Sequence, residues 1–146
     1  DTVTMVASFG YVHSKYKNLI SDLTGDFIID ALDYALEIPR AAPLTYSLGF
    51  NIDGNLGTWR SITRISYYHR DKSYYNENNQ GFINEQDILN FGYDIYSSDG
   101  KINIGIYGKN LSNEVKHGGD TNLSFGGTFA PLAKGKIVGA ELVYKF

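Results

Sequence analysis

Leu44-Thr45-Tyr46-Ser47-Leu48-Gly49-Phe50-Asn51-Ile52, then Asp53-Gly54-Asn55-Leu56-Gly57, then Trp59-Arg60-Ser61-Ile62-Thr63-Arg64-Ile65-Ser66-Tyr67-Tyr68-His69-Arg70 decides how this chain folds. Apolar and polar residues alternate before the break and again after it. Period two is the mark of a half-buried strand, and a Gly-rich polar break between two such runs reads as a hairpin turn. Leu44, Tyr46, Leu48, Phe50 and Ile52 share one face with Trp59, Ser61, Thr63, Ile65 and Tyr67. Arg60, Arg64 and Arg70 lie on the other.

Four more runs repeat the pattern. They are Thr2–Val12, Ile88–Tyr96, Lys101–Lys109 and Val138–Phe146. Across all six, the apolar face carries no Asp, Glu, Lys or Arg. The opposite face holds Arg60, Arg64, Arg70, Asp94, Lys101, Lys109, Glu141 and Lys145, among Gly, Ser and Asn. The connections alternate: long (Tyr16 to Pro43), short (Asp53 to Gly57), longer (about Ser73 to Asp87), tight (Ser97 to Gly100) and long again (Leu111 to Gly135). This predicts an all-β, antiparallel, up-and-down sheet with its short turns at one end. Outer-membrane barrels have that layout, with an apolar outer face and a polar lumen.

Composition agrees. The chain has 146 residues, 12 Tyr, 8 Phe and 16 Gly but 3 Pro, which favours strands over helices. With Lys+Arg 13 against Asp+Glu 16 it is slightly acidic, which argues against nucleic acid as a partner. No cysteine is present, which removes disulfides, zinc thiolates and Cys nucleophiles. No run of about 18 apolar residues offers a membrane helix. Asp1 opens directly into an alternating run, so the chain reads as a processed product or a fragment.

Six strands fall short of the roughly eight that the smallest membrane barrel needs. The chain is therefore part of a larger barrel, or two strands hide in the long connections, around Phe27–Ile38 and Leu123–Phe129. The stretch Asp22–Glu37 fits both a short helix in an outer loop, with Thr24 as its cap, and an extension of the neighbouring strands.

Several segments resemble the C-terminal barrel of TonB-dependent outer-membrane receptors. Asn103-Ile104-Gly105-Ile106-Tyr107-Gly108-Lys109-Asn110-Leu111-Ser112-Asn113-Glu114 is similar to their penultimate strand and its Gly-Lys-Asn-Leu exit. Gly139-Ala140-Glu141-Leu142-Val143-Tyr144-Lys145-Phe146 resembles their last strand, which ends on an aromatic residue. Ile38-Pro39-Arg40-Ala41-Ala42-Pro43 resembles a Pro-rich lead-in to a strand. Phe9-Gly10-Tyr11-Val12-His13-Ser14-Lys15-Tyr16 is similar to the strand before it, and Arg70-Asp71-Lys72-Ser73-Tyr74 to a strand exit. The chain departs from the pattern at Gly135-Lys136, where the family commonly has Pro-Arg, and in a longer Tyr16–Pro43 insertion.

The resemblance implies that residues 1–146 are the last six or so strands of a roughly 22-stranded barrel. The plug domain and the TonB box would lie before Asp1. It implies a receptor and transporter, not an enzyme, in the outer membrane of a Gram-negative bacterium. The cargo would be a scarce nutrient, foremost a ferric siderophore. The partners would be lipid, the TonB energy-coupling complex and the barrel-assembly machinery, the last reading Tyr144 and Phe146. No cofactor is implied. The alternatives are a complete eight-stranded barrel with an adhesive or structural role, and a soluble ligand-carrying barrel with its apolar face inward.

Candidate site residues follow from the same parity. Arg60, Arg64, Arg70, Asp94, Lys109 and Glu141 would face the lumen. Trp59 would sit in an aromatic girdle at the turn end, and Tyr11, Tyr46 and Tyr67 in one at the loop end. Of the three histidines, His13 and His69 lie at strand ends and read as interfacial. His117, beside Gly118-Gly119-Asp120 in an outer loop, is the candidate ligand contact. None has a partner at metal-ligand spacing, and no nucleophile motif is present. Asp71, Glu77, Glu85 and Asp87 read as a solvated acidic loop.

Overall fold

The computed structural model describes residues 1–116, 121–123 and 127–146. Its strands are β1 (Thr2–Tyr11), β2 (Leu44–Leu56), β3 (Trp59–Arg70), β4 (Ser73–Tyr74), β5 (Phe82–Ile83), β6 (Gln86–Tyr96), β7 (Ile102–Lys109), β8 (Thr121–Leu123), β9 (Gly127–Phe129) and β10 (Ile137–Tyr144). One four-residue helix, α1 (Ala31–Tyr34), lies between β1 and β2.

The main sheet runs β1-β2-β3-β6-β7-β10, every neighbour antiparallel. Within it the chain meanders, each long strand pairing with the next. Register rows extend across all six strands. Val3, Ile52, Thr63, Tyr93, Ile106 and Ala140 form one row; Thr4, Asn51, Arg64, Gly92, Tyr107 and Gly139 form the adjacent one. The first row is apolar but for Thr63 and the second polar, so the six strands present their apolar residues on the same side.

Three sequence expectations change here. The Asp53–Gly57 turn is shorter than expected. Asp53 to Leu56 continue β2, pairing with Ile62 to Trp59, and Gly57-Thr58 alone make the turn. Gly57 has φ +65, which suits the hairpin with glycine at its first central position. The hidden strands do not extend the sheet. Phe27–Ile38 forms a loop around α1, while of Leu123–Phe129, whose residues 124–126 lie outside the described residues, β8 and β9 pair with each other and, among the described residues, not with the main sheet. The helix cap is Asp30 rather than Thr24. Asp30 accepts the Leu32 N–H at 2.7 Å, and Asp33 reciprocates at the Asp30 N–H at 2.9 Å, whereas Thr24 donates its hydroxyl to Asp22.

The ends of the sheet sort as expected. Ser98 Oγ donates to the Thr58 carbonyl at 2.7 Å, joining the two tight turns, and Lys145 N donates to the Lys101 carbonyl beside them. At the opposite end the longer connections meet. Arg40 N donates to the Tyr74 carbonyl, and Asn79 Oδ1 accepts the Glu37 N–H at 2.7 Å.

Among the described residues no second layer covers the sheet. Among the described residues the one buried hydrophobic side chain is Ile83, which lies outside the main sheet. Phe9 is 74% exposed and Leu142 72%. The total accessible surface is 9992 Å², against about 7,500 Å² for a compact monomer of this mass. The sheet is also open. Its six strands do not close, and the outer edges of β1 and β10 are unpaired among the described residues.

Candidate functional site: a polar trough and its rims

The hydrogen-bond register brings Arg60, Arg64, Arg70, Asp94, Lys109 and Glu141 to one face. A hollow of about 760 Å³ opens there, lined by residues from all six strands, including Val6, Asn51, Arg64, Asp94, Lys109 and Glu141. One hollow shared by both edge strands requires the polar face to be the concave one. The apolar face is then convex.

Glycines keep the trough floor low. A Cβ on Gly92 would lie 3.6 Å from Arg64 Nε, so the guanidinium stretches flat across that position toward Asp94. A Cβ on Gly105 would meet Asp94 Oδ1 at 2.6 Å, and one on Gly139 would meet the Tyr107 ring at 2.5 Å. Long polar side chains of one strand thus lie sideways over the glycines of the next. Arg64 pairs with Asp94, and Arg60 with Asp53, its Nε donating to Oδ1 at 2.9 Å. Two arginines are neutralised within the wall. Lys109 stands 5.9 Å from the Tyr107 ring centre and, like Glu141, has no ion-pair partner among the described residues.

Three cations, Arg70, Arg40 and Lys72, lie at the loop end of the sheet, where Glu37, Asp71 and Glu85 also lie. Arg70 Nε and Nη2 are shielded from solvent and find no hydrogen-bond partner among the described residues. Arg40 lies over the Tyr75 ring at 4.8 Å, and Lys72 over Phe82 at 4.3 Å and Tyr74 at 5.2 Å. None of the three meets a carboxylate among the described residues.

On the convex side, Tyr46 stacks on His69 (4.7 Å) and tilts against Tyr67 (5.9 Å) at the loop end. Tyr67 donates its hydroxyl to Asp87. His69 bridges Asp87 at 2.7 Å and Asp71 at 3.0 Å. Asp71 and Asp87 are therefore not simply part of a solvated acidic loop. Asp87 lies in β6 on the apolar parity, the one acid there, and this knot pins β2, β3 and β6 at the rim. Its sequence signal was weak: Asp87 precedes the alternating run by one residue. Tyr11 closes the same end on β1. Trp59 marks the turn end, where Tyr144 and Phe146 pack edge to face at 5.1 Å.

A second fastener follows β7. Asn110, buried with φ +50, donates to the carbonyls of Glu114 (3.0 Å) and Lys134 (2.9 Å) and accepts the Glu114 N–H (2.9 Å). Gly108 leaves room for Leu111, whose side chain a Cβ there would meet at 2.5 Å. The Gly-Lys-Asn-Leu segment thus ties the end of β7 to the approach to β10.

His117 lies outside the described residues. Among those described, no group of three or more His, Asp and Glu is placed to hold a metal ion. No family model matches the chain, and neither a curated protein nor a solved structure matches it.

Proposed function

We propose that this chain is a wall segment of an outer-membrane β-barrel receptor that imports a scarce nutrient, and that it is not an enzyme. The observation that carries the proposal is the sidedness of the sheet: an uncovered convex face that is apolar, and a concave face that is polar. A soluble ligand-carrying barrel has the opposite sidedness, apolar inside and charged outside. A membrane barrel wall has this one. In lipid the uncovered apolar face costs nothing, whereas in water a patch this large is a liability.

The remaining strands would close the barrel. Lipid tolerates no open sheet edge, so β1 and β10 each need a neighbour. They run in opposite directions, which lets an even number of further strands complete an all-antiparallel wall. The main strands hold 8 to 13 residues, bracketing the 9–11 that span a bilayer. Membership among the TonB-dependent receptors rests on the Asn103–Glu114 and Gly139–Phe146 segments. Coupling to the TonB complex would run through regions outside this chain. A ferric siderophore is the cargo proposed, and it rests on the resemblance alone.

The test is uptake. Cells depleted of iron should take up a labelled ferric siderophore only when the full-length protein is present, and the protein should fractionate with the outer membrane. Recovery in a soluble fraction would end this proposal. Outer-membrane recovery without uptake of any ferric chelate would remove the cargo assignment alone.

A further inference from the structure

His69 stands between the two ends of one connection. Asp71 follows β3 and Asp87 lies at the start of β6, and the chain between them carries the β4–β5 hairpin. The imidazole touches both. Nδ1 lies 2.7 Å from Asp87 Oδ1, and Nε2 lies 3.0 Å from Asp71 Oδ1. A carboxylate only accepts, and a neutral imidazole has one N–H and one bare nitrogen. Both contacts together therefore require a second proton, held as an imidazolium or lent to one of the acids.

Few other titratable groups face the ring. In the sheet its direct neighbours are Tyr46 on β2 and Asp87 on β6. Tyr46 stacks on it at 4.7 Å, an aromatic face that favours a cation. On β3 itself, Tyr67 gives its hydroxyl to Asp87, and Arg70 has the opposite parity. Lys116, whose charge acts on Asp87, is tied to Glu114 (3.0 Å) and Glu85 (3.4 Å).

The two acids are not equivalent. Asp87 lies within the sheet, also accepts the Tyr67 hydroxyl, and accepts the Ser112 hydroxyl at its carbonyl. The Asp71 carboxylate lies past the end of β3, and His69 is its one hydrogen-bond partner among the described residues. Without the second proton, the remaining N–H stays on Nδ1 toward Asp87. A bare Nε2 then faces the Asp71 carboxylate, two lone pairs in contact, and Asp71 must turn away. Its own N–H, which donates to the Leu44 carbonyl at 2.9 Å, loosens with it. Two residues on, β4 begins, and its Tyr74 carbonyl accepts the Arg40 N–H at 2.7 Å.

We infer that His69 is a proton-operated latch: charged, it holds both ends of the Asp71–Asp87 connection, and neutral, it keeps Asp87 and releases Asp71, freeing the base of the β4–β5 hairpin. The latched form binds the extra proton, so latching is complete at lower pH and is lost as pH rises through the titration of the ring. The inference goes beyond the transport reading and does not depend on it.

The experiment uses the full-length protein in detergent micelles, with its histidines labelled in nitrogen-15. The His69 ring signals are those lost in His69→Gln and, independently, those shifted in Asp71→Asn. Two-bond proton–nitrogen spectra follow the ring from about pH 5 to about pH 9. Hydrogen exchange read by mass spectrometry follows a peptide covering residues 70–75, expressed as protection so that the intrinsic pH dependence cancels. The ring should pass from imidazolium to the Nδ1–H tautomer. Protection should fall about tenfold or more, as one charge-assisted hydrogen bond is lost, and with the ring's own midpoint. Asp71→Asn should stay protected throughout, because its amide accepts from an N–H or donates to a bare nitrogen. Flat protection in the wild type would overturn the inference, as would a fall whose midpoint differs from the ring's. So would the Nε2–H tautomer at high pH, or an Asp71→Asn variant as pH-dependent as the wild type. Loss of outer-membrane recovery or of uptake would end the transport reading and leave these outcomes as they stand.

Discussion

Ile65 and Ser66 are adjacent at the middle of β3, at one depth and on opposite faces. Ile65 lies on the convex side between Phe50 and Phe91; Ser66 lies in the trough between Gly49 and Asn90. Replacing each by Arg asks which face meets lipid. An Arg at the midplane of a barrel's lipid face costs about 2–4 kcal/mol, falling to about 0–1 near the interfaces. Ile65→Arg should therefore lose about 2–4 kcal/mol. Ser66→Arg loses one hydrogen bond, from Asn90 Nδ2 at 3.2 Å, and keeps its charge in water, so its cost should stay near 1 kcal/mol. Ser61→Arg shares the convex parity but lies two residues from Trp59 and should cost about 1 kcal/mol or less. The assay is reversible unfolding of the full-length protein from lipid vesicles in denaturant, comparing midpoints at constant slope. Equal penalties at 65 and 66 would refute the facing. A penalty at 61 as large as at 65 would refute the bilayer, because a protein core has no depth profile tied to the girdle.

Asn110→Ala removes the bonds that anchor Glu114 and Lys134 and should cost about 2–4 kcal/mol, read as a lower unfolding midpoint; a loss under about 0.5 kcal/mol would show the fastener to be idle. Gly108→Ala should cost about 1–3 kcal/mol because Leu111 must move, while Gly92→Ala, with its nearest atom at 3.6 Å, should cost under about 1 kcal/mol; the reverse order would contradict the packing. Asp33 is held down to about 2, from 3.8, first by the Asp30 N–H and then by those of Leu23 and Thr24. Its folded value is the lower one, so its contribution is complete above about pH 4 and fades as pH falls toward 2. Protection of the Leu23, Thr24 and Asp30 amides, taken as intrinsic over observed exchange rate, should therefore fall over that window in the wild type. Asp33→Asn should already show low protection at pH 7.

The faces of the sheet were legible in the sequence because alternation and register reinforce each other. A one-residue slip in any strand would have put its apolar residues among Arg64 and Asp94, and none occurs. Turn boundaries were less legible. Asp53-Gly54-Asn55 has turn chemistry, yet cross-strand pairing with Ile62, Ser61 and Arg60 in turn carries the strand through it. The cap at Asp30 and the burial of Asp33 depend on a loop folding back across ten residues, which no local pattern announces. The rim knot at His69 escaped because a charge on an apolar parity looks like the end of a strand. Asn110 was noticed only through resemblance; its work is visible in its side chain's three hydrogen bonds to Glu114 and Lys134.

The chain itself brings no cysteine, so once any cysteine elsewhere in the full-length protein is replaced by serine, single nitroxide labels can be placed along β3, one residue at a time from Ile62 to Tyr68. Collision with oxygen, which concentrates in lipid, and with a water-soluble nickel complex reports which medium each label meets. Labels at Thr63, Ile65 and Tyr67 should favour oxygen, and those at Ile62, Arg64, Ser66 and Tyr68 the nickel complex, giving two period-two profiles out of phase. Profiles in phase, or an apolar parity that neither reagent reaches, would mean that protein rather than lipid covers the convex face.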